Sequence, residues 1–185
     1  AALRMKEAEE EINRSLFETG KIPMAIKTRI GINTGTMVVG NMGTEKKMNY
    51  TIMGNDVNLA ARLEGVNKKY GTWILVSEST WEETEGIFLG RRLDRVRVVG
   101  INTPVQLYNV MAVKTEASEV MLRLCESFEK AITLYRERRY DEALDAFREC
   151  QKIDENDEPT KLYIERMEGL VADTELLPNM MILCT

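Results

Sequence analysis

The sequence predicts an α+β domain followed by an α-helical hairpin extension. Three observations lead there: short β-rich runs punctuated by glycines between residues 27 and 110, amphipathic helical stretches interleaved with them, and the loss of all β character after Val113.

Residues 3–18 have helical period, with Met5, Ala8, Ile12 and Leu16 spaced among Glu and Lys, and Thr19-Gly20 and Pro23 stop the helix. From Lys27 the runs TRIGINTG, TMVVGNM and MNYTIM are short, β-rich and broken by Gly31, Gly35, Gly40, Gly43 and Gly54. Val38–Met42 and Met48–Ile52, joined by the polar Gly-Thr-Glu-Lys-Lys stretch, form a β-hairpin pattern. A helix is expected from about Val57 to Lys69, with Asn55 or Asp56 as its N-cap. A strand at Trp73–Val76, a short helix after Ser77, and strands around Arg92–Val99 and Val105–Val110 complete the α+β part.

Beyond it, Met121, Leu124, Phe128, Ala131 and Tyr135 alternate spacings of three and four, as do Tyr140, Ala143, Phe147 and Cys150. Two helices meeting through an Arg138-Arg139 turn fit this pattern, and Asp157-Glu158-Pro159 opens a third. The expected division is residues 1–114, a helical extension over 115–172, and a tail over 173–185 without clear period.

Thirty acidic residues against 25 basic ones give a net charge of −5, with a pI near 5.1, which argues against an electrostatic grip on nucleic acid or an anionic membrane. There is no histidine, which removes Ser/His and Cys/His nucleophile–base pairs and every His-containing zinc site. Cys125, Cys150 and Cys184 are odd in number and lack the spacing of a metal knuckle, so a reduced, cytoplasmic setting is expected. The longest apolar stretch, Leu176 to Cys184, is broken by Pro178 and Asn179 and is too short for a membrane span, and no signal peptide is visible. The first residues, AALRMKEAEEE, are helix-like and carry no initiator Met, so the chain is expected to be a piece of a longer one.

The chemistry concentrates in Tyr50-Thr51-Ile52-Met53-Gly54-Asn55-Asp56-Val57-Asn58-Leu59-Ala60-Ala61-Arg62-Leu63-Glu64. A strand ends in a glycine turn and a helix starts at once, presenting free backbone N–H groups and a favourable dipole to a phosphate. Leu59, Leu63, Val66 and Tyr70 form one apolar stripe, while Asn58 and Arg62, four apart, project together from the flank. Arg supplies a fixed positive fork for phosphoryl oxygens and Asn a neutral donor–acceptor for a sugar. On spacing alone the same pair also suits the polar flank of any amphipathic helix.

Together RIGINTGTMVVGNMG, YTIMGNDVNLAARLEGVNKKYGTWILVSE and LDRVRVVGINTPVQLYNV resemble the second half of a class III adenylate/guanylate cyclase catalytic domain, over roughly residues 1–112. The resemblance implies a ferredoxin-like unit, incomplete at its N-terminal side, that works as a head-to-tail homodimer with active sites at the interface. The implied reaction is attack of the ribose 3′-OH of ATP on the α-phosphate, giving 3′,5′-cyclic AMP and pyrophosphate. It also implies roles. Asn58 matches the asparagine that orients the ribose, and Arg62 the arginine that stabilises the α-phosphate in the transition state. Thr51 stands where the purine is recognised and resembles bacterial adenylate cyclases there. Ile52, Gly54 and Asn55 complete the implied substrate-binding set.

Three departures from the family pattern stand out. The two metal-binding aspartates, which would hold Mg2+ or Mn2+, and the purine-reading lysine lie upstream of the matched region in the family. The isolated chain is therefore expected to be inactive. Where the family has Val-Lys-Gly, this chain has Val98-Val99-Gly100, and Arg97, on the same strand face as Val99, is the candidate substitute for the triphosphate-gripping lysine. Asp56 replaces a common threonine.

In the extension, Ala131, Leu134, Tyr140, Ala143 and Phe147 resemble one tetratricopeptide repeat, which cannot bury its face alone and is expected to dock on its own domain or on the dimer mate. By resemblance the parent is a bacterial signalling protein with an upstream sensor domain. A second reading stays open at this level: a degenerate cyclase-like regulatory module that binds a nucleotide or a partner without catalysis, with the helical tail as its protein-interacting surface.

Overall fold

The computed structural model describes residues 1–98, 104–172 and 182–183. Val99 and Gly100, and residues 173–181 and 184–185 of the tail, lie outside the described residues.

Helix α1 (Ala2–Leu16) leads into strand β1 (Ile30–Ile32), the hairpin strands β2 (Val38–Thr44) and β3 (Lys47–Met53), and helix α2 (Asn55–Tyr70). Strand β4 (Ile74–Ser77), the short helix α3 (Glu78–Glu82), and strands β5 (Phe88–Val98) and β6 (Val105–Val113) follow. After a 3₁₀ turn at Lys114–Glu116 come three helices, α4 (Glu119–Arg136), α5 (Tyr140–Ile153) and α6 (Glu158–Ala172), and a two-residue strand β7 (Ile182–Leu183). The main sheet has the order β1-β4-β6-β5-β7. The hairpin β2–β3 is a separate antiparallel pair in register from Val38 opposite Met53 to Thr44 opposite Lys47.

β5 begins four residues before the expected Arg92. Register shifts between Leu89 and Gly90 and between Arg92 and Arg95 break the period of two that marks a strand in sequence. Ser77 closes β4 and also caps α3, its Oγ accepting from the Thr80 N–H.

Alternation along β4 divides the core between the two sheet faces. Leu75 belongs to a large cluster with Leu59, Leu63, Val66 and Tyr70 of α2, Leu93 and Val96 of β5, and Phe128, Phe147 and Tyr163 of α4, α5 and α6. Ile74 and Val76 face the other way, towards Trp81, Tyr108, and Ala2 and Leu3 of α1. Strand gives way to helix near the boundary expected at residue 115, yet the larger cluster runs across it, so α4–α6 are docked on the chain's own sheet.

Gly31 sets how closely α2 lies on that sheet. A Cβ there would stand 2.3 Å from the Glu64 backbone nitrogen and 2.4 Å from the Ala60 carbonyl oxygen. Only a residue without a side chain lets strand and helix backbones meet at this distance.

Candidate active site: the β3–α2 turn

Strand β3 delivers Thr51 and Ile52 to the turn, with Thr51 paired opposite Gly40 and Ile52 opposite Val39. Both are exposed. Helix α2 starts directly after Gly54, and the Asn58 N–H donates to the Gly54 carbonyl (3.1 Å) as the first helical bond. The expected side-chain cap is corrected here: Gly54 itself is the N-cap, with no side-chain hydrogen bond.

Asp56 is committed elsewhere. One carboxylate oxygen accepts from the Thr36 N–H (2.9 Å) and the other from the Asn33 amide (3.2 Å), which also donates to the Asp56 carbonyl (3.1 Å). Asp56 thus ties the first turn of α2 to the segment between β1 and β2, and its negative charge is spent on donors of that segment. Asn33 and Thr36 were not singled out in sequence. The only trace of them was the polar, glycine-flanked character of GINTGTM.

Leu59, Leu63, Val66 and Tyr70 are buried, as the stripe required. Asn58 is exposed and Arg62 half-buried one turn further on, so the two lie along one flank of α2. Thr51, Ile52, Gly54, Asn55, Asn58 and Arg62 are thereby gathered on a single strand–turn–helix unit. Arg97 is not part of it. It lies on β5, which β6 and β4 separate from β1, and its Nε is buried without a hydrogen-bond partner.

The C-terminal end of α2 is also held. The Tyr70 hydroxyl donates to Asp94 (2.7 Å), and burial together with the Asp94 charge pushes the phenol's pKa up, keeping it a neutral donor. Buried Asn67 donates to the carbonyls of Ile30 (3.0 Å) and Leu63 (3.0 Å) and accepts from the Thr72 hydroxyl (2.9 Å), stitching α2 to β1.

A cleft of about 910 Å3 lies away from this unit, lined by Trp81, Gly90, Arg92 and Tyr108 and by Cys125, Glu129 and Thr133 of α4. Its walls are already engaged with each other: Trp81 stacks on Tyr108 at 5.0 Å, and Arg92 pairs with Glu129. The strand–turn–helix unit is therefore the better candidate on chemistry. Among the described residues no three Asp, Glu, Cys or His side chains converge to hold a metal ion, and no helix is long and apolar enough to cross a membrane.

Residues 1–112 match the family model described as the adenylate and guanylate cyclase catalytic domain. The terminal-differentiation-specific adenylate cyclase of Dictyostelium discoideum is 34% identical over 180 residues, covering 95% of this chain and 8% of that protein, so the similarity takes in the helical region too. Adenylate cyclase 1 of Rhizobium meliloti is 38% identical over 112 residues, covering 60% of this chain and 16% of that protein. The chain thus spans a small part of the curated relatives it matches. The crystal structure of the adenylyl cyclase CyaB from P. aeruginosa is similar at 32% identity and a TM-score of 0.50, over 59% of this chain and 55% of that one. A guanylyl cyclase crystal structure is similar at 32% identity and a TM-score of 0.52, over 62% of this chain and 56% of that one.

Proposed function

Because 112 of its 185 residues match that model, the chain belongs to the adenylate and guanylate cyclase catalytic domain family, and we propose that it supplies the substrate- and transition-state-binding side of an adenylate cyclase. In the full-length protein, working as a homodimer, ATP is converted to 3′,5′-cyclic AMP and pyrophosphate. The observation that carries this reading is the pairing of Asn58 and Arg62 along one flank of a helix whose two ends are both anchored.

In this reading Asn58 hydrogen-bonds the ribose and holds the 3′-OH in line with the α-phosphorus. The 3′-hydroxyl gives up its proton to solvent, its oxygen forms the bond to phosphorus as the bond to the pyrophosphate oxygen breaks, and charge grows on the non-bridging oxygens. Arg62 meets that charge with a fixed guanidinium. Thr51 and Ile52 border the purine, with Thr51 favouring ATP over GTP. Gly54 and Asn55 bring the helix N-terminus to the phosphates. Arg97 is the proposed contact to the triphosphate tail, from a separate strand.

Mg2+ or Mn2+, when bound, supplies charge neutralisation. No cluster among the described residues fits that ion; by the family resemblance its ligands and the purine-reading lysine belong to the part of the domain before the matched region, and no step through metal is assigned to these residues. The exposed hairpin supports the homodimer: Val39, Met48, Tyr50 and Ile52 alternate onto one of its faces and all are exposed, Tyr50 at 76%. An upstream sensor domain, a cytoplasmic location and a tetratricopeptide-like character for α4–α6 complete the proposal.

Steady-state kinetics of the full-length protein with ATP and GTP test it. Arg62→Ala is expected to lower kcat about 100- to 1,000-fold, the usual effect of losing one preorganised donor to developing charge, while KM changes little. An effect confined to KM, or an inactive wild type, would replace this reading with that of a nucleotide-binding module.

A further inference from the structure

We infer that α6 is part of the scaffold that aims α2 at the nucleotide, with Arg166, Asp94 and Tyr70 as positioning residues for Asn58 and Arg62. The inference rests on the cyclase reading for what α2 does, but its geometry stands independently.

The last residue of α2, Tyr70, donates to an Asp94 oxygen on β5 (2.7 Å), and the same oxygen accepts from Arg166 of α6 (2.9 Å). The Arg166 guanidinium also lies over the rings of Tyr70 (5.3 Å) and Tyr163 (4.9 Å). One turn of chain closes a second contact. Gly71, the C-cap at φ +64, has room for no side chain, since a Cβ would stand 2.3 Å from the Glu158 Cβ at the start of α6.

The start of α6 is itself immobilised. Asp157 accepts from both terminal nitrogens of Arg91 (2.8 and 2.6 Å) and from the Thr160 N–H (3.1 Å) and hydroxyl (2.6 Å). Tyr163 then donates to the Leu93 carbonyl (3.2 Å). Helix α6 is thus tied to β5 through Asp157, Tyr163 and Arg166, and its first residue, Glu158, meets the C-cap of α2.

A helix transmits axial and rotational position along its length. Arg62 is eight residues from Tyr70, about 12 Å at 1.5 Å per residue, with an unbroken buried stripe between them. Because misplacement of a reacting group by about 1 Å can cost on the order of 100-fold in rate, the anchor at Tyr70 bears directly on how Asn58 and Arg62 meet the substrate. The helical region therefore contributes to turnover without touching substrate.

The test uses the full-length protein with Arg166→Met, the conservative Arg166→Lys, and Glu168→Gln as a control that removes only the exposed α5–α6 pair with Arg148. Two quantities are read: amide hydrogen exchange across residues 55–70, and kcat and KM with ATP. Arg166→Met is expected to speed exchange in α2 and to lower kcat, each by about tenfold, with KM within about twofold. Arg166→Lys should recover part of both, and Glu168→Gln should match wild type. If Arg166→Met does not fold, Tyr70→Phe, which keeps the ring and deletes only the donor, gives the same two readouts. Exchange in α2 and kcat both equal to wild type in these variants, with only the melting temperature lowered, would overturn the inference and leave α6 a structural support. A wild type without cyclase activity would sink the cyclase reading alone, and the exchange comparison would still decide the coupling.

Discussion

Arg91 of β5 and Asp157, the residue before α6, form a buried bidentate pair at 2.8 and 2.6 Å across 66 residues of sequence, with side chains 2% and 7% exposed. The Phe128 ring lies 4.5 Å from the Arg91 guanidinium, so the pair is roofed by the aromatic core of the helical region.

Breaking that pair from one side leaves a buried charge without its counter-ion. Arg91→Met alone is expected to cost about 3–5 kcal/mol, whereas the double variant Arg91→Met/Asp157→Leu recovers much of it. Urea unfolding of the three proteins checks this, and equal stability of the single and double variants would contradict it.

The same pair sets an acid limit. Burial acts to raise the Asp157 pKa, but the hydrogen bonds and charge of Arg91, with the Thr160 donors, outweigh it and hold the carboxyl below its ordinary 3.8. A depressed folded-state value means the contribution is complete above the unfolded value and is lost as pH falls below 3.8 through the folded one. Melting temperature followed from neutral pH to pH 3 should fall less steeply in the Arg91→Met/Asp157→Leu protein than in wild type.

At the other end of α2, Asp56→Ala removes the acceptor for the Thr36 N–H and the Asn33 amide. A loss of about 1–3 kcal/mol is expected, with faster amide exchange confined to residues 33–37 and the first turn of α2. Exchange unchanged at Thr36 would show that the carboxylate does not hold this segment.

Gly31→Ala probes the contact between β1 and α2. With no space for a methyl group beside the backbone of Ala60 and Glu64, the helix must shift. Overpacking of this kind costs about 1–3 kcal/mol, and turnover should fall further than stability because α2 carries Asn58 and Arg62. A crystal structure of the variant with α2 unmoved would refute this.

Thiol chemistry reports on the seating of α4. Burial pushes the Cys125 thiol up to about 11 and raises Cys150 as well, so neither offers appreciable thiolate at pH 8. Iodoacetamide at pH 8, followed by peptide mapping, should modify both slowly in the native protein and rapidly in urea. Fast native labelling of Cys125 would mean that α4 does not rest on Met111 and the sheet.

What the sequence by itself determined were the features written in local period. The Leu59, Leu63, Val66 and Tyr70 stripe specified which face of α2 is buried and therefore where Asn58 and Arg62 point. The two apolar runs around residues 43–47 specified the hairpin, and the three-and-four spacing specified α4 and α5. Each depends on neighbours within a turn or a strand pair, so side-chain direction follows from spacing alone. The family resemblance, carried by G-N-x-V-N-x-x-x-R, was legible for the same reason: all its residues lie on one continuous unit.

Only the tertiary structure decided how that unit is held. Nothing in the order of residues shows that Asp56 leaves the cap of its own helix to bind Thr36 and Asn33, because local spacing favours the nearer cap. Likewise Arg91 with Asp157, Tyr70 with Asp94, and Asp94 with Arg166 are partners 66, 24 and 72 residues apart. In sequence Tyr70 reads only as the end of the apolar stripe, and nothing local marks the charged residues as buried. Burial converts them into anchors, since a charge withdrawn from water is tolerable only beside its counter-ion, and the fold alone determines which counter-ion is within reach.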